Sequence, residues 1–172
     1  MGAVCYVENI IAMNRLKFFL LGLMLALCAP TMADRAPQAV QDSLRNLYPT
    51  VRTVGWSTDG KYYVAGFEYD GFATQVWFDA QGRWQMKQTD WQVMDEAPEA
   101  VWHTFSFGPY STDEVMDVTL VEFPRQKAQV VVLIGIDNAP TEYQLFYLTD
   151  GELINARNVT NMNDILGADT FL

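Results

Sequence analysis

From residue 36 onward the chain switches between two hydrophobic rhythms. Val40, Leu44 and Leu47 fall at i, i+4 and i+7, one stripe of a short amphipathic helix. Pro37 suits the first helical position. Tyr48-Pro49 ends the run, because the residue before a proline is pushed out of the α region. Strand-like runs follow, predicted over 51–57, 61–69, 72–78 and 83–89. Asp59-Gly60, Asp70-Gly71 and a turn from Asp79 to Gly82 separate them. Intervals this short leave no room for the crossovers of parallel strands, so an antiparallel meander is expected.

A related order then returns. Ala97-Pro98-Glu99-Ala100-Val101 echoes Ala36-Pro37-Gln38-Ala39-Val40, and Asp150-Gly151 echoes the earlier turns. A helix is predicted over 97–107, and strands over 114–123, 127–137, 141–148 and 152–159. A short helical turn is expected near 164–166. The expected fold is α+β: a tandem repeat of a short helix packed on a four-stranded antiparallel meander sheet. The expected divisions are a leader over 1–33, a first repeat over 34–91 and a second over 92–172, the two repeats forming one continuous module.

Strand alternation sorts side chains onto two faces. Tyr63, Ala65, Phe67, Val76, Phe78, Trp84 and Met86 are assigned to the face under the first helix. The opposite face carries Tyr62, Val64, Gln75, Trp77, Arg83 and Gln85, a mixture of aromatic, amide and basic groups. These six are the candidate binding surface. Two readings of it stand: an open contact surface, or aromatic pairs that stiffen the sheet. Val130 to Ile134 is apolar on both faces and reads as a strand buried from both sides.

The first residues carry a different signal. Met13-Asn14-Arg15-Leu16-Lys17 is a basic start, and the apolar run from Phe18 to Ala29 is too short to span a bilayer. Thr31-Met32-Ala33 offers small residues for cleavage before Asp34. The expectation is a signal peptide starting at Met13, and a periplasmic or secreted protein with no stable membrane span after cleavage. Leu25-Ala26-Leu27-Cys28 loosely resembles a lipobox, but Leu27 stands where that motif wants a small residue. Lipid anchoring at Cys28 is the minor alternative.

Cleavage would remove both cysteines, Cys5 and Cys28, and with them any disulfide framework, thiol nucleophile or cysteine metal site. Half the chain is hydrophobic and 13% aromatic, enough to build a core without crosslinks. The whole chain has 21 acidic and 11 basic side chains, a net charge of −10. Nucleic-acid partners are excluded, since they need a basic stripe.

Catalytic chemistry is sparse. His103 is the one histidine, so a Ser/His/Asp site could form only around it. No G-x-S-x-G, P-loop or G-x-G-x-x-G is present. Asp59, Asp70 and Asp79 lack EF-hand spacing and read as turn residues. No cofactor, metal site or catalytic residue is expected.

The pattern Ala36-Pro37-x-x-Val40, Tyr48-Pro49, Val54-x-Trp56, Tyr63-x-Ala65-x-Phe67 and Val76-x-Phe78-Asp79-x-x-Gly82-x-Trp84 resembles the PepSY-like proteins with a β-lactamase-inhibitor-protein-like (BLIP-like) fold, found in Bacteroidales-type bacteria. The second half departs from it: Asp117 stands where Trp56 does, and Pro109-Tyr110 inverts the Tyr-Pro order. The resemblance implies a non-enzymatic periplasmic or secreted binding protein, an inhibitor or regulator of an envelope protein or peptide acting through its sheet surface. The alternative is a small-ligand carrier or sensor binding between the repeats.

Overall fold

A computed structural model of the chain describes residues 36–136, 139–162 and 166–172. The expected leader, with Met13 and Cys28, lies outside them, as do residues 164 and 165 of the expected terminal turn.

The first helix, α1 (Gln38–Leu47), precedes four strands: β1 (Gly55–Asp59), β2 (Tyr62–Tyr69), β3 (Phe72–Phe78) and β4 (Trp84–Asp90). A 3-10 turn (Met94–Glu96) and α2 (Glu99–Ser106) lead into β5 (Glu114–Glu122), β6 (Gln129–Gly135), β7 (Glu142–Leu148) and β8 (Leu153–Asn158). A last turn of helix, α3 (Ala168–Phe171), follows.

The expectation of helix-plus-four-strand repeats is overturned. The strands form one eight-stranded antiparallel sheet in the order β1 to β8, with a few short helices. The seam is the pairing of β4 with β5, where Lys87 faces Glu122, Gln88 faces Val121, Thr89 faces Leu120 and Asp90 faces Thr119. Two separate sheets would leave β4 and β5 as edges with unpaired backbone groups, and joining them satisfies both.

On one face α1 buries Val40 and Leu44 over Ala65, Phe67, Val76 and Phe78. Burying a side chain of this size contributes about 1.5–3 kcal/mol. On the same sheet α2 sets Val101 and Phe105 over Val118, Val130, Val132, Leu145 and Tyr147. Glycine lets the helices lie close. Gly82, at φ +79°, would place a Cβ 2.5 Å from the Ala39 carbonyl oxygen. Gly151, at φ +92°, would place one 2.5 Å from that of Ala100.

The other face holds a third core of Val64, Trp77, Met86, Val121, Phe123, Val131 and Phe146, with Leu166, Ala168 and Phe171 of the C-terminal segment packed on it. The Phe171 ring lies 5.7 Å from Phe123 and 5.9 Å from Phe146. Met86 thus leaves the face it was assigned with Trp84. Phe78 faces Trp84 while Trp77 faces Met86, so Gln85 is an extra residue in β4. The bulge puts Trp84 under α1 and Met86 in the opposite core.

Candidate functional site

An antiparallel meander returns its alternate turns to the same end of the sheet. The β1–β2, β3–β4 and β5–β6 turns therefore gather at one end. Together with Ser43, Asn46 and Leu47 of α1 they line a solvent-open cleft of about 850 Å³. The three turns bring Lys61, Arg83 and Arg125 to it, and Tyr62 and Trp84 add aromatic surface.

Asp79 organises the cleft. Its Oδ1 accepts the amides of Gln81 and Arg83, both at 3.0 Å. Its Oδ2 accepts Arg83 Nε at 2.7 Å and Gln85 Nε2 at 3.2 Å. Burial opposes ionisation of Asp79, but the amide and guanidinium of Arg83 outweigh it and hold the carboxyl below its ordinary value. The β4 bulge re-aims Gln85 toward this carboxylate, and its Nε2 also donates to the Arg83 carbonyl oxygen at 3.1 Å.

Arg83 is thereby held at Nε while its side chain stays 74% exposed, and its Nη2 reaches Gln81 Oε1 at 3.4 Å. Lys61 lies over the Tyr62 ring, 5.1 Å from the centroid. Among the described residues Lys61 and Arg125 form no ion pair. On a chain of net charge −10, three cations converge on one cleft, two of them unneutralised. Among the described residues Asp79 is the one carboxylate lining it, and both its oxygens are already accepting. The arrangement offers hydrogen-bond donors, positive charge and apolar contact at one open site.

The six residues of the expected surface separate. Tyr62, Arg83 and Gln85 line the cleft. Val64 and Trp77, 5% and 3% exposed, sit in the core beneath the C-terminal segment, so the face expected to be open around them is covered. Gln75 is exposed on β3, facing Gly66 and Gln88, away from the cleft lining. Lys61, Asp79, Trp84 and Arg125 were not among the six. The signal for the cations was available: they stand at alternate turns of a meander in an acidic chain.

No protein-family model matches the sequence. No curated protein matches it at a significant level. Solved structures do. A DUF2874 family protein from Bacteroides uniformis is 48% identical, with a TM-score of 0.78 over 80% of this chain and 100% of that one. A DUF2874 family protein from Bacteroides ovatus is 43% identical, with a TM-score of 0.79 over 81% of this chain and 99% of the other. A Bacteroides eggerthii protein described by a predicted periplasmic location is 42% identical, at TM-score 0.78, 80% of this chain and 99% of its own. A BLIP-like protein from Bacteroides fragilis is 32% identical, at TM-score 0.71, over 77% and 92% of the two chains. The relationship to BLIP-like proteins is thus supported; these relatives do not bear on the PepSY-like half of the resemblance.

Proposed function

This chain belongs to the DUF2874 family, and we propose that it is a non-enzymatic periplasmic binding protein that holds an envelope macromolecule in the cleft at the turn end of its sheet. The observation that carries this reading is the set Lys61, Arg83 and Arg125 around an open cleft, with Arg83 and Gln85 fixed by Asp79. Side chains held before contact lose less entropy on binding, so orienting them favours affinity. The periplasmic description of the Bacteroides eggerthii relative supports the location, and no helix among the described residues is long and apolar enough to cross a membrane. Under this reading the leader over 1–33 exports the chain.

The Trp77 face is a poorer surface, because the chain's own C-terminal segment occupies it. A small-ligand carrier would favour an enclosed cavity, and this cleft is open to solvent.

Site-specific photocrosslinking tests the proposal. A photoreactive residue at position 85 or 125 is expected to yield an adduct with an envelope macromolecule in cells, while one at exposed position 116, near the start of β5 at the opposite end of the sheet, yields none. Equal adducts at all three positions, or none from the cleft, would count against it.

A further inference from the structure

Resting on the cleft reading above, we infer that its occupant is an acidic segment of a partner protein, a loop or terminus whose carboxylates meet Lys61, Arg83 and Arg125. Charge complementarity is the first reason. The two unpaired cations and the exposed guanidinium stand at three separate turns, so they suit single charges spaced along a chain better than one dense anion.

The electrostatics of α1 point the same way. The cleft is lined by the C-terminal half of this helix, through Ser43, Asn46 and Leu47. That end of a helix carries partial negative charge and disfavours any anion, a dense dianion more than a single carboxylate. Phosphate sites are built instead at helix N-termini and glycine-rich backbone cradles.

The remaining lining matches a polypeptide. Asn46 carries an amide able to accept from and donate to a peptide backbone, and Gln85, its Nε2 already committed, can accept at Oε1. Tyr62, Trp84 and the half-exposed Leu47 give apolar contact between the charges. A volume of about 850 Å³ with an open mouth admits a segment that enters and leaves. Arg83, held at Nε and bridged from Nη2 to Gln81 Oε1 at 3.4 Å, still has Nη1 and a second Nη2 hydrogen for a carboxylate, a planar donor set that Lys cannot reproduce.

The test is calorimetric titration of the protein with acetylated hexaglutamate, and in parallel with hexaglutamine and inorganic phosphate. Hexaglutamate is expected to bind at least about tenfold more tightly than either comparator at low salt, and to weaken as salt rises. The variant Lys61→Gln/Arg83→Gln/Arg125→Gln, shown to be folded by circular dichroism, is expected to bind it roughly tenfold more weakly. Phosphate bound as tightly as hexaglutamate, no hexaglutamate binding, or equal binding by the variant would overturn the inference. If cleft photocrosslinks form while hexaglutamate neither binds nor competes, the occupant has other chemistry and the cleft reading survives. If no cleft crosslink forms, that reading itself fails.

Discussion

The indole of Trp77 donates its Nε1 hydrogen to Asp59 Oδ2 at 2.9 Å. The same oxygen accepts the Ala168 amide at 2.6 Å. One carboxylate at the end of β1 thus satisfies a buried indole of β3 and pins the start of α3 over it. This contact helps make the Trp77 face interior.

Replacing Asp59 with Ala is expected to destabilise the fold by about 2–4 kcal/mol, because hydrogen bonds to a charged acceptor are lost and a buried N–H is left without a partner. Urea unfolding followed by tryptophan emission measures this. Asp59→Asn keeps an acceptor and should recover part of the loss. A cost below about 0.5 kcal/mol for the alanine variant would show that the contact does not hold the segment down.

Phe171 supplies the other half of the cover, against Phe123 and Phe146. Phe171→Ala should cost about 2–4 kcal/mol through lost burial and ring contact. It should also expose the core around Trp77, seen as a red shift in emission and as binding of a hydrophobic dye. Unchanged emission with unchanged stability would contradict the covered face.

Gly82 and Gly60 both have positive φ, but only Gly82 is crowded, with a Cβ placed 2.5 Å from the Ala39 carbonyl oxygen and open space around Gly60. Gly82→Ala is therefore expected to cost about 2–4 kcal/mol, combining backbone strain with overpacking against α1. Gly60→Ala should cost about 1 kcal/mol from strain alone. Thermal unfolding of the two variants gives the order, and a reversed order would refute the close approach of α1 to the sheet.

Asp90 sits at the β4–β5 seam. Burial first, then the charge and hydrogen bond of Asp117, push its carboxyl up from 3.8 to about 6. The folded state keeps a proton that the unfolded chain has released. This contribution is full below about pH 4 and is lost as pH rises to about 6. Asp90 is only partly buried, so after discounting for solvent screening the effect is on the order of 1 kcal/mol. Asp90→Asn should remove that decline and be the more stable form at pH 7. Stability curves of both proteins from pH 4 to pH 8 check it, and an equal decline in the variant would sink the account.

Much of the local structure was legible because its causes are local. Pro37 and Tyr48-Pro49 bracket α1, and the Asp-Gly pairs mark the hairpins that form. The single sheet was not legible, since nothing within 84–90 or 114–122 encodes the pairing of β4 with β5 across 23 intervening residues. Met86 was misplaced because alternation assumes unbroken register, and the bulge at Gln85 breaks it. Tyr62, Arg83 and Gln85 were read as a face and line a cleft, whereas Val64 and Trp77 looked exposed because the return of the C-terminal segment is a long-range event. Arg125 joins the site for the same reason, from a turn far along the chain.

The most direct test of the cleft as the binding site is the affinity of the photocrosslinked partner, once purified, for the wild-type protein and for the folded Lys61→Gln/Arg83→Gln/Arg125→Gln variant. Loss of charged contacts predicts binding weakened by about tenfold or more, with a smaller dependence on salt in the variant. Equal affinity and equal salt dependence for the two proteins would contradict it.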